Sequence, residues 1–248
     1  MKSLIAAVAS VALMAAAVIA FVLVHRAKGE SNAGPDPYAG TYPLVSPAPT
    51  RAPAVTWRPT GVAAGPLPVF RGSGSRVIGR ITDRVAGVSY AKFAPPWHRP
   101  KLLSGGKTGA EEIDSKNASG LKNFWYVAVY SGPLSAELAP GATGPDALRA
   151  AAELHGQDWV KQHFLDEGRR AELAGRALTI DGHRAWLTAF RMTHTDGTPR
   201  AMKSQTEVVV AIDTGRRAPA IVTVTVPDNK NLLLPDINTV VRSLHVVR

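Results

Sequence analysis

Residues 177–192 read Ala-Leu-Thr-Ile-Asp-Gly-His-Arg-Ala-Trp-Leu-Thr-Ala-Phe-Arg-Met. A short β-forming run enters Asp181-Gly182, a dipeptide suited to two consecutive positive φ angles, and a longer one leaves it, which specifies a hairpin. Downstream, Asp196-Gly197 marks a further reversal, and residues 207–212 and 220–226 add two strands separated by residues 213–218. The result is an antiparallel meander. In its last strand Val222, Val224 and Val226 share one face while Ile221, Thr223 and Thr225 share the other, so one side of the sheet is expected to be more polar. Pro235 then opens a terminal helix whose stripe of Ile237, Val240, Val241 and Leu244 docks on the sheet.

Upstream, residues 77–82 and 88–93 flank a turn at 83–87 and form a first hairpin. Ala94-Pro-Pro-Trp-His-Arg-Pro100 forbids regular structure, and residues 101–120, rich in Gly, Lys, Ser and Asn, read as a loop of weak order. Phe124-Trp-Tyr-Val-Ala-Val-Tyr130 is apolar on both faces, as in a central strand. Pro145 opens a helix along which Leu148, Ala151, Ala152, His155 and Trp159 recur at helical spacing. Gly168 can close it, and Gly156 invites a break near its middle. Strands, helix, strands, helix is the order of an α+β fold, an antiparallel sheet with flanking helices.

The stretch Gly87-Val-Ser-Tyr-Ala-Lys-Phe-Ala-Pro-Pro-Trp97, then Leu178-Thr-Ile-Asp-Gly-His-Arg-Ala-Trp186, then the long hairpins and terminal helix, resembles exported actinobacterial proteins of the Mog1/PsbP-like α/β/α sandwich class. The resemblance spans residues 76–247 and rests on element order. It implies a binding or accessory module rather than an enzyme, and it transfers no set of site residues.

Ahead of this domain the composition changes twice. Residues from Leu4 to Val24 form an uncharged run of 21, preceded only by Met1, Lys2 and Ser3. At ~1.5 Å per residue it matches the roughly 30 Å hydrocarbon core of a bilayer, so residues 1–28 are read as an N-terminal transmembrane helix with its flanks. A cleaved signal peptide is the competing reading: Val18 and Ala20 imitate a cleavage site, but Phe21-Val-Leu-Val24 continues the apolar run beyond it. Lys2 on one side and Arg26 and Lys28 on the other leave orientation undecided by charge. The short N-terminal tail favours a signal-anchor with the long C-terminal part outside the cytoplasm. Residues 29–69, punctuated by nine prolines from Pro35 to Pro68, are read as an extended tether reaching on the order of 100 Å. Residues 70–248 make up the α+β domain.

Composition and motifs restrict the chemistry. The chain has no cysteine, which removes thiol catalysis and leaves the redox compartment open. His155 and His163 lie eight residues apart on one helix, ~12 Å, too far to share an ion, and are read as helix-surface residues. His183 and His194 sit at hairpin ends outside any metal spacing, so no metal and no cofactor are expected. Gly72-Ser-Gly-Ser75 is not on a strand-to-helix elbow, and Gly105-Gly-Lys-Thr108 lacks the first glycine and the preceding strand of a phosphate loop. Glu111, Glu112 and Asp114 are read as a solvated acidic segment. Asn117-Ala-Ser119 matches a glycosylation sequon, a pattern frequent by chance.

Two features remain. Trp97, His98 and Arg99, between rigid prolines, can present an aromatic ring and a cation and are the candidate binding residues, with Trp97 folded back on the core as the plainer alternative. The net charge of +10 includes Arg169, Arg170, Arg184, Arg191, Arg200, Lys203, Arg216 and Arg217 on or near the hairpins. That balance suits anionic lipid headgroups or envelope polymers. Another membrane protein is the alternative partner. Nucleic acid is not expected, because no aromatic-basic recognition motif is present and an exported domain would not meet it. The expectation is a single-pass, membrane-anchored, extracytoplasmic, non-catalytic binding or accessory module of the cell envelope. The alternative is an unrecognised envelope enzyme such as a hydrolase, which would need titratable side chains converging in a pocket.

Overall fold

The turn at Asp181-Gly182 takes the left-handed values its sequence calls for, with φ of +50° and +81°. It joins β5 (Gly168–Ile180) to β6 (His183–His194) in a computed structural model that describes residues 65–100, 107–114, 126–144, 146–164, 168–194 and 202–248. These belong to one compact unit, Pro53–Arg248. β5 is longer than the four residues its pattern marks. A register shift between Glu172 and Ala174 makes Leu173 a bulge, so the alternation changes face there and the strand is hidden in the sequence.

β7 (Ser204–Ile212) and β8 (Ala220–Pro227) continue the meander, and β4 (Tyr126–Pro133) and β3 (Gly109–Asp114) complete a six-stranded antiparallel sheet of order β3-β4-β8-β7-β6-β5. β4 is interior, as expected, with Val127, Ala128 and Val129 all buried. The loop expected over 101–120 is corrected by β3, whose residues pair with β4 from Gly109 opposite Ser131 to Asp114 opposite Tyr126. Gly-Ala-Glu-Glu-Ile-Asp has little strand propensity of its own; the β4 ladder imposes the conformation. Glu111, Glu112 and Asp114 therefore stand on an edge strand.

β1 (Val77–Asp83) and β2 (Val88–Phe93) form the expected first hairpin and, with β9 (His245–Val246), a three-stranded sheet. Its turn is fixed by Asp83, whose Oδ1 accepts the Val85 and Ala86 N–H groups at 3.0 Å each while Oδ2 accepts the Thr108 and Ser131 hydroxyls.

The two faces of the large sheet differ as the β8 pattern requires. Val222, Val224 and Val226, with Val208, Val210, Ile212 and Leu187, pack against the small sheet and α2 (Leu234–Arg242). Ile237, Val240 and Leu244 are buried there, and Val241 packs beside them. Ile221, Val209, Ala211, Phe190 and Met192 face α1 (Ala147–Phe164). This second face also buries Thr188, Glu207, Thr223 and Thr225, all 2 % exposed or less. α1 runs unbroken through Gly156 and ends before Gly168, which instead begins β5. A Cβ at Gly156 would stand 3.0 Å from Phe190 Cε1, so the glycine is a close-approach site and not a break.

The folded part reaches back beyond residue 70. Gly65 N–H donates to Gly175 O at 3.3 Å, Leu67 is buried in the core, and Asn238 accepts from Phe70 N–H while donating to Pro68 O. Ser75 donates N–H and Oγ–H to the two oxygens of Asp236 at 2.6 and 2.7 Å. The run from Leu4 to Val24, residues 29–64, Pro145 and Arg200 lie outside the described residues. No helix among the described residues is long and apolar enough to cross a membrane.

Candidate functional site

β2 delivers the chain into Ala94-Pro95-Pro96-Trp97, where the Pro95–Pro96 peptide is cis. Trp97 takes the plainer of its two expected positions: it is 3 % exposed, stacks 5.0 Å from Phe93, and donates Nε1–H to Ser75 Oγ at 2.9 Å. It therefore supports the site and does not present a ring to solvent. His98 and Arg99, by contrast, are exposed. They join exposed Lys92 and Arg80 around a groove between β1–β2 and β3 whose floor includes Phe93 and the edge of Trp97. Arg80 is fixed as part of the frame, donating Nη2–H to Ser89 O at 3.0 Å and to Ser243 O at 2.5 Å. Lys92, His98 and Arg99 form the accessible basic rim.

The hairpin arginines are not one surface. Arg170 lies 3.8 Å over the Phe190 ring and pairs with Glu172 at 2.6 Å; Arg184 pairs with Asp213; Arg216 donates to Val85 O. Arg169 and Arg191 are exposed and share one face of the β5–β6 hairpin, where Ala171 opposes Arg191 and Arg169 opposes Thr193.

The histidines also separate. His183 Nδ1 is 2.8 Å from Asp213 O and so ties down a hairpin end. His155 is not a helix-surface residue: it turns inward from α1, its Nε2 3.0 Å from Thr223 Oγ1. Burial, reinforced by the Lys107 ammonium, pulls its imidazole down to about 4, so it is neutral near pH 7. Among the described residues no three His, Cys, Asp or Glu side chains gather as a metal site.

His155 lines a second concavity, on the α1 face, with Lys107, Tyr130, Asp158, Trp159 and Leu138. Beneath its wall, Glu207 is wholly buried and accepts the Trp159 indole N–H at 2.8 Å and the Gln205 amide at 2.5 Å. Its other oxygen, Oε2, and the neighbouring Thr225 hydroxyl are both buried without a hydrogen-bond partner. Burial pushes Glu207 up to about 8 despite the opposing hydrogen bonds from Trp159 and Gln205 and the nearby Thr225 hydroxyl, so it is carried as the neutral acid. Nothing in the sequence pattern pairs His155 with Thr223 or Trp159 with Glu207. The available signal is the coincidence of a polar β8 face and a helix rich in small residues, which together permit a buried polar seam.

No family model matches the chain, and no curated protein matches it. Among solved structures it is similar to the solution structure of cyanobacterial PsbP (CyanoP) from Synechocystis sp. PCC 6803, at 16% identity and a TM-score of 0.41, over 73% of this chain and 99% of that one. The neighbour is thus a PsbP protein, and the α+β assignment itself stands on the strand order and register described above.

Proposed function

We propose that this chain is a membrane-anchored, extracytoplasmic binding or accessory module of the cell envelope that recognises an anionic surface through the groove between β1–β2 and β3. The observation that carries the reading is the accessible rim of Lys92, His98 and Arg99 over an aromatic floor held rigid by the Trp97–Ser75–Asp236 hydrogen bonds. An accessible basic rim beside a rigid apolar floor suits anionic headgroups or acidic polymer, where charge draws the partner in and the floor holds its apolar part. The uncharged run from Leu4 to Val24 and the proline-rich segment after it supply anchorage and reach.

The test has two parts. Alkaline phosphatase fused after Arg248 should be active, whereas a cytoplasmic reporter at the same point should not; the reverse pattern removes the envelope role. Purified protein should sediment with vesicles containing anionic lipid at low salt and come off as salt rises, because exposed charge contacts are screened over about 10 Å at 0.1 M. Absence of sedimentation at low salt would refute surface recognition.

A further inference from the structure

The concavity on the α1 face is separate from the basic groove. Its walls are the rings of Tyr130 and Trp159, 5.9 Å apart and inclined at 46°. Lys107 Nζ stands 4.5 Å from the centre of the first ring and 5.5 Å from the centre of the second. Both distances are within the roughly 6 Å over which a ring face attracts a cation. Asp158 and His155 line the same space. Apart from the Lys107 ammonium, the polar part of the lining is two ring faces, the Asp158 carboxylate and an uncharged imidazole.

That frame does not depend on Lys107 for its shape. The Trp159 indole is pinned to Glu207, Tyr130 is held in the ladder opposite Thr223, and the Thr223 hydroxyl contacts His155. Leu138, Pro133 and Ile221 extend the wall with apolar surface. Lys107 itself precedes β3 and is followed by Thr108, which is anchored by its N–H to Ser131 O at 2.7 Å and its hydroxyl to Asp83 at 2.6 Å. The flexible four-carbon stem can therefore swing its ammonium out while the backbone stays in place.

We infer that this notch is a recognition site for an alkylammonium group, which in the structure is filled by the chain's own Lys107. An incoming ammonium takes the place between the two rings and beside Asp158, and its alkyl stem lies along Leu138, Pro133 and Ile221. The group comes either from a free amine or from the lysine side chain of a partner protein. Lys107 holds the site closed to weak ligands, because a ligand must displace a cation tethered at high effective concentration.

The test uses the full-length protein in detergent, titrated calorimetrically with n-butylammonium. Lys107→Met should bind it at least tenfold more tightly than the unaltered protein, and adding Tyr130→Leu should remove the gain. Butyrate, of matching size and opposite charge, should bind neither. Comparison of spermidine with Nα-acetyl-lysine amide in Lys107→Met assigns the source, the tighter ligand naming it. If Lys107→Met fails to fold, Lys107→Gln, which keeps the stem and a polar head, replaces it. As an independent readout, the His155 ring should titrate higher in Lys107→Met and be lowered again by n-butylammonium. Equal binding by the unaltered protein and the Lys107 variant, or butyrate binding as tight as n-butylammonium binding, would overturn the assignment.

Discussion

Replacing Glu207 by glutamine should destabilise the fold slightly at pH 4.5 and stabilise it at pH 7. Glu207 is wholly buried, and its carboxyl titrates at about 8 in the fold against an ordinary 4.5. Because the folded value is the higher one, the stability this group confers is complete below pH 4.5 and is lost as pH rises through 8. Each pH unit between those limits is worth about 1.4 kcal/mol, so at pH 7 keeping the proton costs the wild-type protein about 3 kcal/mol. Glutamine avoids that cost. Its carbonyl still accepts from Trp159 and Gln205, and one amide hydrogen replaces the acid proton toward Thr225. The second amide hydrogen has no acceptor among these partners and takes back about 1 kcal/mol. The net expectation is about 1 kcal/mol of destabilisation at pH 4.5 and about 2 kcal/mol of stabilisation at pH 7. Urea unfolding of residues 65–248 and of the variant at a series of pH values gives the difference directly, with effects common to both proteins cancelling. A difference that stays constant from pH 4.5 to 8 would refute the protonated Glu207.

Phe190→Ala should lower stability by about 3–5 kcal/mol by opening a cavity under α1, and Trp186→Ala by clearly less, because Phe190 is 0 % exposed whereas Trp186 is only half-buried beneath Arg149; chemical denaturation ranks them, and equal losses would contradict the packing. Ser75→Ala removes two partners at once, leaving Asp236 and the Trp97 indole short of hydrogen bonds, and should cost about 2–3 kcal/mol in thermal or urea unfolding; a neutral result would mean the segment before β1 does not clasp α2.

The sequence carries those parts of the fold whose side chains repeat with a period. Asp181-Gly182, the β8 alternation and the α2 stripe each specify position and face, and the structure follows them. β3 and the first half of β5 escape because their conformation is imposed by neighbours: one has a weak pattern completed by β4, the other is broken by a bulge at Leu173. At the groove, the sequence marks Trp97, His98 and Arg99 as a unit, but only the fold divides them into one buried ring and two exposed polar side chains. Lys92 joins the rim as the one exposed residue of β2, although its same-parity neighbours Val88 and Tyr90 are buried, and the Ser75–Asp236 contact that fixes the floor spans 161 residues and leaves no local trace. The α1 notch is likewise assembled from segments distant in sequence, Lys107, β4 with the chain after it, α1 and β8, so no spacing announces it.

The most direct test of the central claim compares two charge reversals of equal size. Lys92→Glu/Arg99→Glu changes the groove rim, and Arg169→Glu/Arg191→Glu changes the exposed hairpin face. Each is measured by sedimentation with anionic vesicles at low salt, after unfolding midpoints show both variants folded. Recognition through the groove predicts that the rim variant loses most of its binding while the hairpin variant keeps most of its own. Equal losses, or a greater loss in the hairpin variant, would contradict it.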